Sequence, residues 1–149
     1  MAKPRTARRP RPRKLTKKIA AVVQYERVCR VATAGARGMP HVVPVCHVLV
    51  RDRLYFGSGN DARKVLNLRD NAQAAAVIDV YTDAWPQLRG VLLQGPARII
   101  ARGPEFHRIK KALYAKYPQY AREAALAPSD SVIVEITPRR VFSWGFDGG

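Results

Sequence analysis

The stretch from Arg27 to Asn71 constrains this chain most. Three apolar runs follow one another closely there, divided by two turn signals. Val28 to Thr33 is short and β-branched. Ala34-Gly35-Ala36-Arg37-Gly38-Met39-Pro40 breaks it: the glycines supply positive φ, and Pro40 has no N–H to extend a ladder. His41 to Val50 is dominated by valine, Arg51-Asp52 is a short polar connection, and Leu54 to Gly57 is the third run. Runs this short, joined by tight turns, read as an antiparallel meander and not as helices. The second run scarcely alternates, so both of its faces are expected to be buried, one in a barrel interior and one under a helix or a second subunit.

Gly57-Ser58-Gly59-Asn60-Asp61-Ala62-Arg63-Lys64 then leaves a strand and enters a helix expected over Ala62 to Leu68, with Asp61 or Asn60 as N-cap. A helix N-terminus presents free N–H groups and the positive end of a dipole. Arg63 and Lys64 add two full charges, and Ser58 and Asn60 add neutral hydrogen-bonding groups. Together they suit a phosphate monoester. Taken alone, the segment reads rather as a solvated basic first turn, because it has neither a Walker pattern nor a glycine-rich dinucleotide pattern.

The remaining order supports a barrel. Lys17 to Glu26 is a short amphipathic helix. Ala74 to Tyr81 and Gly90 to Ala101 are strands, and Gly95-Pro96 inside the second demands a bulge or bend. Pro104 to Tyr117 is the clearest helix, with Phe106, Ile109, Leu113 and Tyr117 on one face and Pro104 in the first turn. Ser131 to Thr137 and Val141 to Phe146 close the chain as strands. Trp85 reads as a packing residue in a loop. Cys29 and Cys46 read as two reduced core thiols on neighbouring strands.

Charge divides the chain. It carries 27 Lys+Arg against 11 Asp+Glu, a net +16. Met1 to Lys18 holds nine basic residues and no acid, so taking its nine charges from +16 leaves +7 on the body. That Arg- and Pro-rich segment is expected to be a disordered basic tail, with one domain over 19–149. No apolar core follows its charges as in a secretory signal, and no run is long enough to span a membrane, so a cytoplasmic protein is expected. His41, His47 and His107 lack the spacing of metal ligands, and no Cys-x-x-Cys is present. His41 reads as a rim residue and His47 as a satisfied structural histidine.

The order RVATAGARGMPHVVPV, RLYFGSG, ARKVLNLRDN, AAAVID, GVLLQGPARII and VIVEITPRRVFSWGF resembles the pyridoxamine-5′-phosphate-oxidase-like split-barrel family over about Leu15 to Phe146. The resemblance implies a mainly β fold, a six-stranded antiparallel split barrel with flanking helices. It implies a homodimer with cofactor sites at the interface, and hydride transfer to or from a small-molecule substrate. The implied cofactor is flavin mononucleotide (FMN), with a deazaflavin coenzyme as the alternative. Its contacts are expected from Val43, Pro44 and Val45 on the second run, and from Ser58, Asn60, Arg63, Lys64 and Asn67. The chain ends just after Phe146, without the Arg- and Trp-rich C-terminal segment of pyridoxamine-phosphate oxidases proper, so the FMN- or deazaflavin-using members are the nearer comparison. Two other classes compete. A haem-binding barrel would want a late histidine, and none follows His107. Nucleic-acid contact is expected to run through the tail and to be nonspecific and salt-dependent.

Overall fold

The computed structural model describes residues 9–146. The expected mainly β split barrel is found, with eight strands in place of six. In chain order, helix α1 spans Lys17–Tyr25, followed by strands β1 Cys29–Ala34, β2 Pro40–Val45, β3 His47–Val50 and β4 Arg53–Gly59. Helix α2 Arg63–Asp70, β5 Gln73–Val80, β6 Arg89–Ile100, α3 Pro104–Lys116, α4 Tyr120–Glu123, β7 Ser131–Ile136 and β8 Arg140–Trp144 complete it. All strand pairs are antiparallel, in the order β2-β1-β5-β6-β7-β4-β3, with β8 added to β6.

The extra strands have local causes. The valine run breaks at Cys46: β2 pairs with β1, whereas β3 pairs with β4 through a turn in which Arg51 and Asp52 both have positive φ. Such a turn matches the twist of a hairpin. The long strand β6 serves two sheets. Residues 89–96 pair with β5, and Ala97–Ile100 pair with β7. The change falls at the expected bend, Gly95-Pro96. A Cβ on Gly95 would lie 1.9 Å from the Thr137 carbonyl oxygen, so only glycine permits that close approach.

Two apolar cores result. The barrel interior joins Val31, Leu54, Phe56, Ala76, Leu93 and Val134 with the buried face of α1 (Ile19, Val22, Val23) and with Val65 and Leu68 of α2. The second core lies outside β3-β4-β7, where Phe106, Ile109 and Leu113 of α3 cover Tyr55, Ile133 and Val48. Every residue of β7 is therefore buried. Sheet β2-β1-β5-β6-β8 has no such outer cover. Val42 is 65% exposed, Phe142 44% and Trp144 45%. Of the second run, β3 is covered by α3 as expected, whereas in the single chain β2 is an edge strand of alternating exposed and half-buried residues whose outer face no helix covers. Cys46 is likewise exposed, and only Cys29 is a core thiol. Trp85 is exposed in a short 3-10 turn and not packed.

The tail boundary also moves. Residues 1–8 lie outside the described residues, but 9–18 are placed against the barrel. Leu15 is buried, and Thr16 caps α1 by accepting from the Ile19 N–H at 3.3 Å. The Arg13 N–H donates to the Pro138 carbonyl at 2.7 Å, and Arg53 Nη2 donates to the Pro10 carbonyl at 2.9 Å.

Arg9 reaches a buried carboxylate. Glu135 of β7 lies between Tyr55 and Arg98 in register across β4-β7-β6. It accepts from Tyr55 Oη at 2.9 Å, from Arg98 at 3.1 and 3.2 Å, and from Arg9. Glu105 adds a second carboxylate to Arg98. Burial alone would raise the Glu135 pKa, but the hydrogen bonds from Arg98 and Tyr55 and the two guanidinium charges outweigh it and hold it below its ordinary value. A depressed carboxylate pKa contributes stability above the ordinary value, and that contribution is lost as pH falls through the folded-state value. Arg98→Met is expected to cost roughly 2–3 kcal/mol at pH 7, less than a fully buried pair because Arg9 remains and Arg98 is partly solvated. The deficit should narrow in acid, where a protonated Glu135 needs no cation. Urea melts at pH 7 and in acid check this, and a deficit that does not change with pH would contradict it.

Candidate functional site

The turn between β1 and β2 folds back toward α2 and forms a groove with it. Gly38 supplies the positive φ of this turn (77°), and its N–H donates to the Gly35 carbonyl at 3.0 Å. Asn67, buried on α2, ties the helix to β1 by donating from Nδ2 to Thr33 Oγ1 at 3.1 Å. A Cβ on Gly35 would lie 2.9 Å from Asn67 Oδ1, so glycine lets the turn close on the helix. The groove of about 530 Å³ is lined by Arg37, Met39, His41, Arg63, Asn67 and Asp70, among others.

Of the residues expected to hold a cofactor, the structure brings Arg63 and Asn67 together here. Lys64 follows Arg63 in the first turn of α2, partly buried, and burial lowers its pKa from the ordinary lysine value. An anion beside it would favour its charged form. Val43 and Val45 lie on the same face of β2 as His41, opposite Val31 and Cys29, while Pro44 lies on the outer face. Ser58 and Asn60 do not join the groove. Ser58 is buried, donates to the Gly59 carbonyl, and lines a separate groove with Tyr120, Leu126 and Asp130. Asn60 turns back, and its Oδ1 accepts from Arg69 at 2.7 Å. Neither Asn60 nor Asp61 caps α2: the N-cap is Ala62, with no side-chain hydrogen bond, and the helix runs from Arg63 to Asp70.

Arg37 and His41 were not singled out as site residues from the sequence. The signal for Arg37 was a cation set between two glycines in a turn read only as a break. His41 Nδ1 is buried and has no hydrogen-bond partner. His41 lines the groove, and a buried polar atom without a partner beside a groove calls for an explanation. The groove's donor set suits a phosphorylated ligand: two guanidiniums, an amide, an imidazole and an uncapped helix start, with Lys64 beside the groove and not in its lining. The groove's carboxylate, Asp70, sits seven residues along α2 from Arg63, about 10 Å along the axis.

A family model described as pyridoxamine 5′-phosphate oxidase matches residues 15–145. The chain belongs to the pyridoxamine 5′-phosphate oxidase family. Within reach of it is a 5a,11a-dehydrotetracycline/5a,11a-dehydrooxytetracycline reductase of Streptomyces rimosus subsp. rimosus. It is 31% identical over 124 residues, which are 80% of this chain and 75% of that protein. Two solved structures share the fold. A haem storage protein of Vibrio cholerae superposes with TM-score 0.74 at 16% identity, covering 87% of this chain and 94% of its own. An F420 reductase superposes with TM-score 0.69 at 17% identity, covering 86% and 98%.

His47 plays another part. It opens β3, fully buried, and Nε2 lies 2.6 Å from the Val23 carbonyl, while the Tyr117 hydroxyl accepts from its backbone N–H. Burial, with Lys116 nearby, pushes its pKa down to about 4. It therefore holds α1 to β3 as a neutral ring, but it is satisfied at Nε2 only, because its buried Nδ1 has no hydrogen-bond partner. The sign follows: the unfolded chain takes up this proton near pH 6.5 and the folded one only near 4, so stability is full above 6.5 and falls between the two. The loss from this group is expected to reach about 3 kcal/mol at pH 4. His47→Gln should be less stable at pH 7 and should flatten the slope between pH 6.5 and 4. Parallel slopes in denaturant melts would contradict the assignment.

Among the described residues, no helix is long and apolar enough to cross a membrane.

Proposed function

We propose that this chain is an oxidoreductase that uses FMN, or a deazaflavin coenzyme in its place, with the phosphate end in the groove between the β1–β2 turn and α2. The observation that carries this reading is the groove itself, lined by Arg63, Arg37 and Asn67 together with His41, whose Nδ1 has no hydrogen-bond partner. The reductase relative supports the reaction class. When bound, a flavin or deazaflavin supplies the hydride chemistry. The chain's own residues bind and orient: Arg63 and Arg37 bind the negative charge, Lys64 beside Arg63 adds to the local positive charge, Asn67 fixes α2 against β1, and the free edge of β2 offers backbone groups.

A homodimer belongs to the same proposal. The outer face of β2-β1-β5-β6-β8 carries Val42, Ala32, Val77, Leu92, Phe142 and Trp144 toward solvent, and a second copy is the cover of matching character. Small-molecule reduction in such an assembly needs no membrane and no nucleic acid.

Haem binding is the second reading. It is favoured by His41, an imidazole in the groove lining of a type able to ligate iron.

Arg63→Glu is expected to weaken FMN binding by on the order of tenfold to a hundredfold while changing riboflavin binding little, because riboflavin lacks the phosphate. Titrations followed by visible absorption measure both. Equal losses for the two ligands would remove the phosphate assignment, and preferential uptake of haemin by the wild-type protein would favour the haem reading.

A further inference from the structure

We infer that a second groove, on the outer face of the β1-β5-β6-β8 sheet and roofed by the second copy proposed above, is the substrate site and selects a planar, oxygen-rich anion. The word substrate here rests on the cofactor reading above. The cavity measures about 630 Å³, within the range of small-molecule sites. Its floor is one row of the sheet in register: Ala32 opposite Ala75, Ala75 opposite Gln94, and Gln94 opposite Arg140. Directly opposed residues of neighbouring strands share a face. The row therefore runs from two methyl groups, through a carboxamide, to a guanidinium. A floor this shallow admits a flat ring system. Gly95 and Pro96 extend it without adding bulk.

The walls set the chemistry. Asn71, Gln73 and Gln94 offer carboxamides, which can both donate to and accept from neutral oxygens. Arg139 and Arg140 close one end with two guanidiniums, whose forked donors match a carboxylate or an enolate. No aspartate or glutamate lines this groove. The other three large grooves each contain at least one, Glu26, Asp70, or Asp61 with Asp130. Both cations are held in place. The Arg140 guanidinium lies 5.4 Å from the centroid of the Phe142 ring, and Arg139 donates to the Arg11 carbonyl of the N-terminal segment.

Position links this groove to the cofactor. Pro40 lines both grooves, and Ala34 of one is followed by Gly35 of the other. A molecule on the alanine floor would therefore lie next to one bound at His41 and Arg63.

The test uses the full chain and two soluble probes, anthraquinone-2-carboxylate and its neutral carboxamide, titrated calorimetrically with and without saturating FMN. The carboxylate is expected to bind at least about tenfold more tightly than the carboxamide, in both conditions. Arg140→Gln, at a position exposed in the single chain, should lose most of that preference while the wild-type sedimentation behaviour is kept; Arg139→Gln serves as the second variant. Equal affinity for the two probes, or a preference unchanged in both variants, would overturn the proposal. So would displacement of the probe by FMN, because the groove would then belong to the cofactor. If FMN fails to bind but the charge preference persists and depends on Arg140, the groove is supported and the cofactor reading fails.

Discussion

Uneven cover is the constraint from which the rest of this structure follows. Strand β6 runs through both sheets, and the close approach at Gly95 lets it turn from one to the other. Beyond that bend, the sheet is sealed on both faces, by the barrel interior and by α3. Before it, the sheet is sealed on the inside only. Burial of apolar area drives folding, and a face of valine, leucine, phenylalanine and tryptophan left in water is a surface awaiting a partner. The two grooves meet where β1 ends and β2 begins, at Pro40, and the larger one lies on that uncovered side.

The sealed half carries the charge network. Glu135 would be costly to bury alone, and it is stabilised by donors from three parts of the chain: Tyr55 on β4, Arg98 on β6 and Arg9 near the N-terminus. The same N-terminal segment accepts from Arg53 and Arg139 through its carbonyls. A segment that composition assigns to disorder is thus fastened to the barrel along residues 9–13, and it reaches the wall of the proposed substrate groove through Arg139.

Much of this was legible in the sequence because its signals are local. β-branched runs between turn residues gave the strands, the three-four spacing of Phe106, Ile109 and Leu113 gave α3, and Gly95-Pro96 gave the bend. The pairing of Arg63 with Asn67 on one side of α2 follows from helical spacing. What was not legible depends on distant partners. Nothing near Cys46 says that the valine run changes sheets there. The apolar content of β2 is the same whether its outer face meets a helix, a second copy or water. Ser58 and Asn60 neighbour Arg63 in sequence, yet one faces the Tyr120 groove and the other is held by Arg69. Arg9 finds Glu135 across 126 positions, a contact that no local pattern announces.

The central claim is that the uncovered sheet and the cofactor groove beside it are completed together by a second copy of the chain. Obligate interfaces of this character bury on the order of 2,000 Å² or more. Sedimentation equilibrium at micromolar concentration, with and without FMN, tests this most directly. The expected result is a dimer in both conditions, held more tightly when FMN is bound, because ligand and partner favour the same assembled state. A monomer that binds FMN tightly would contradict it.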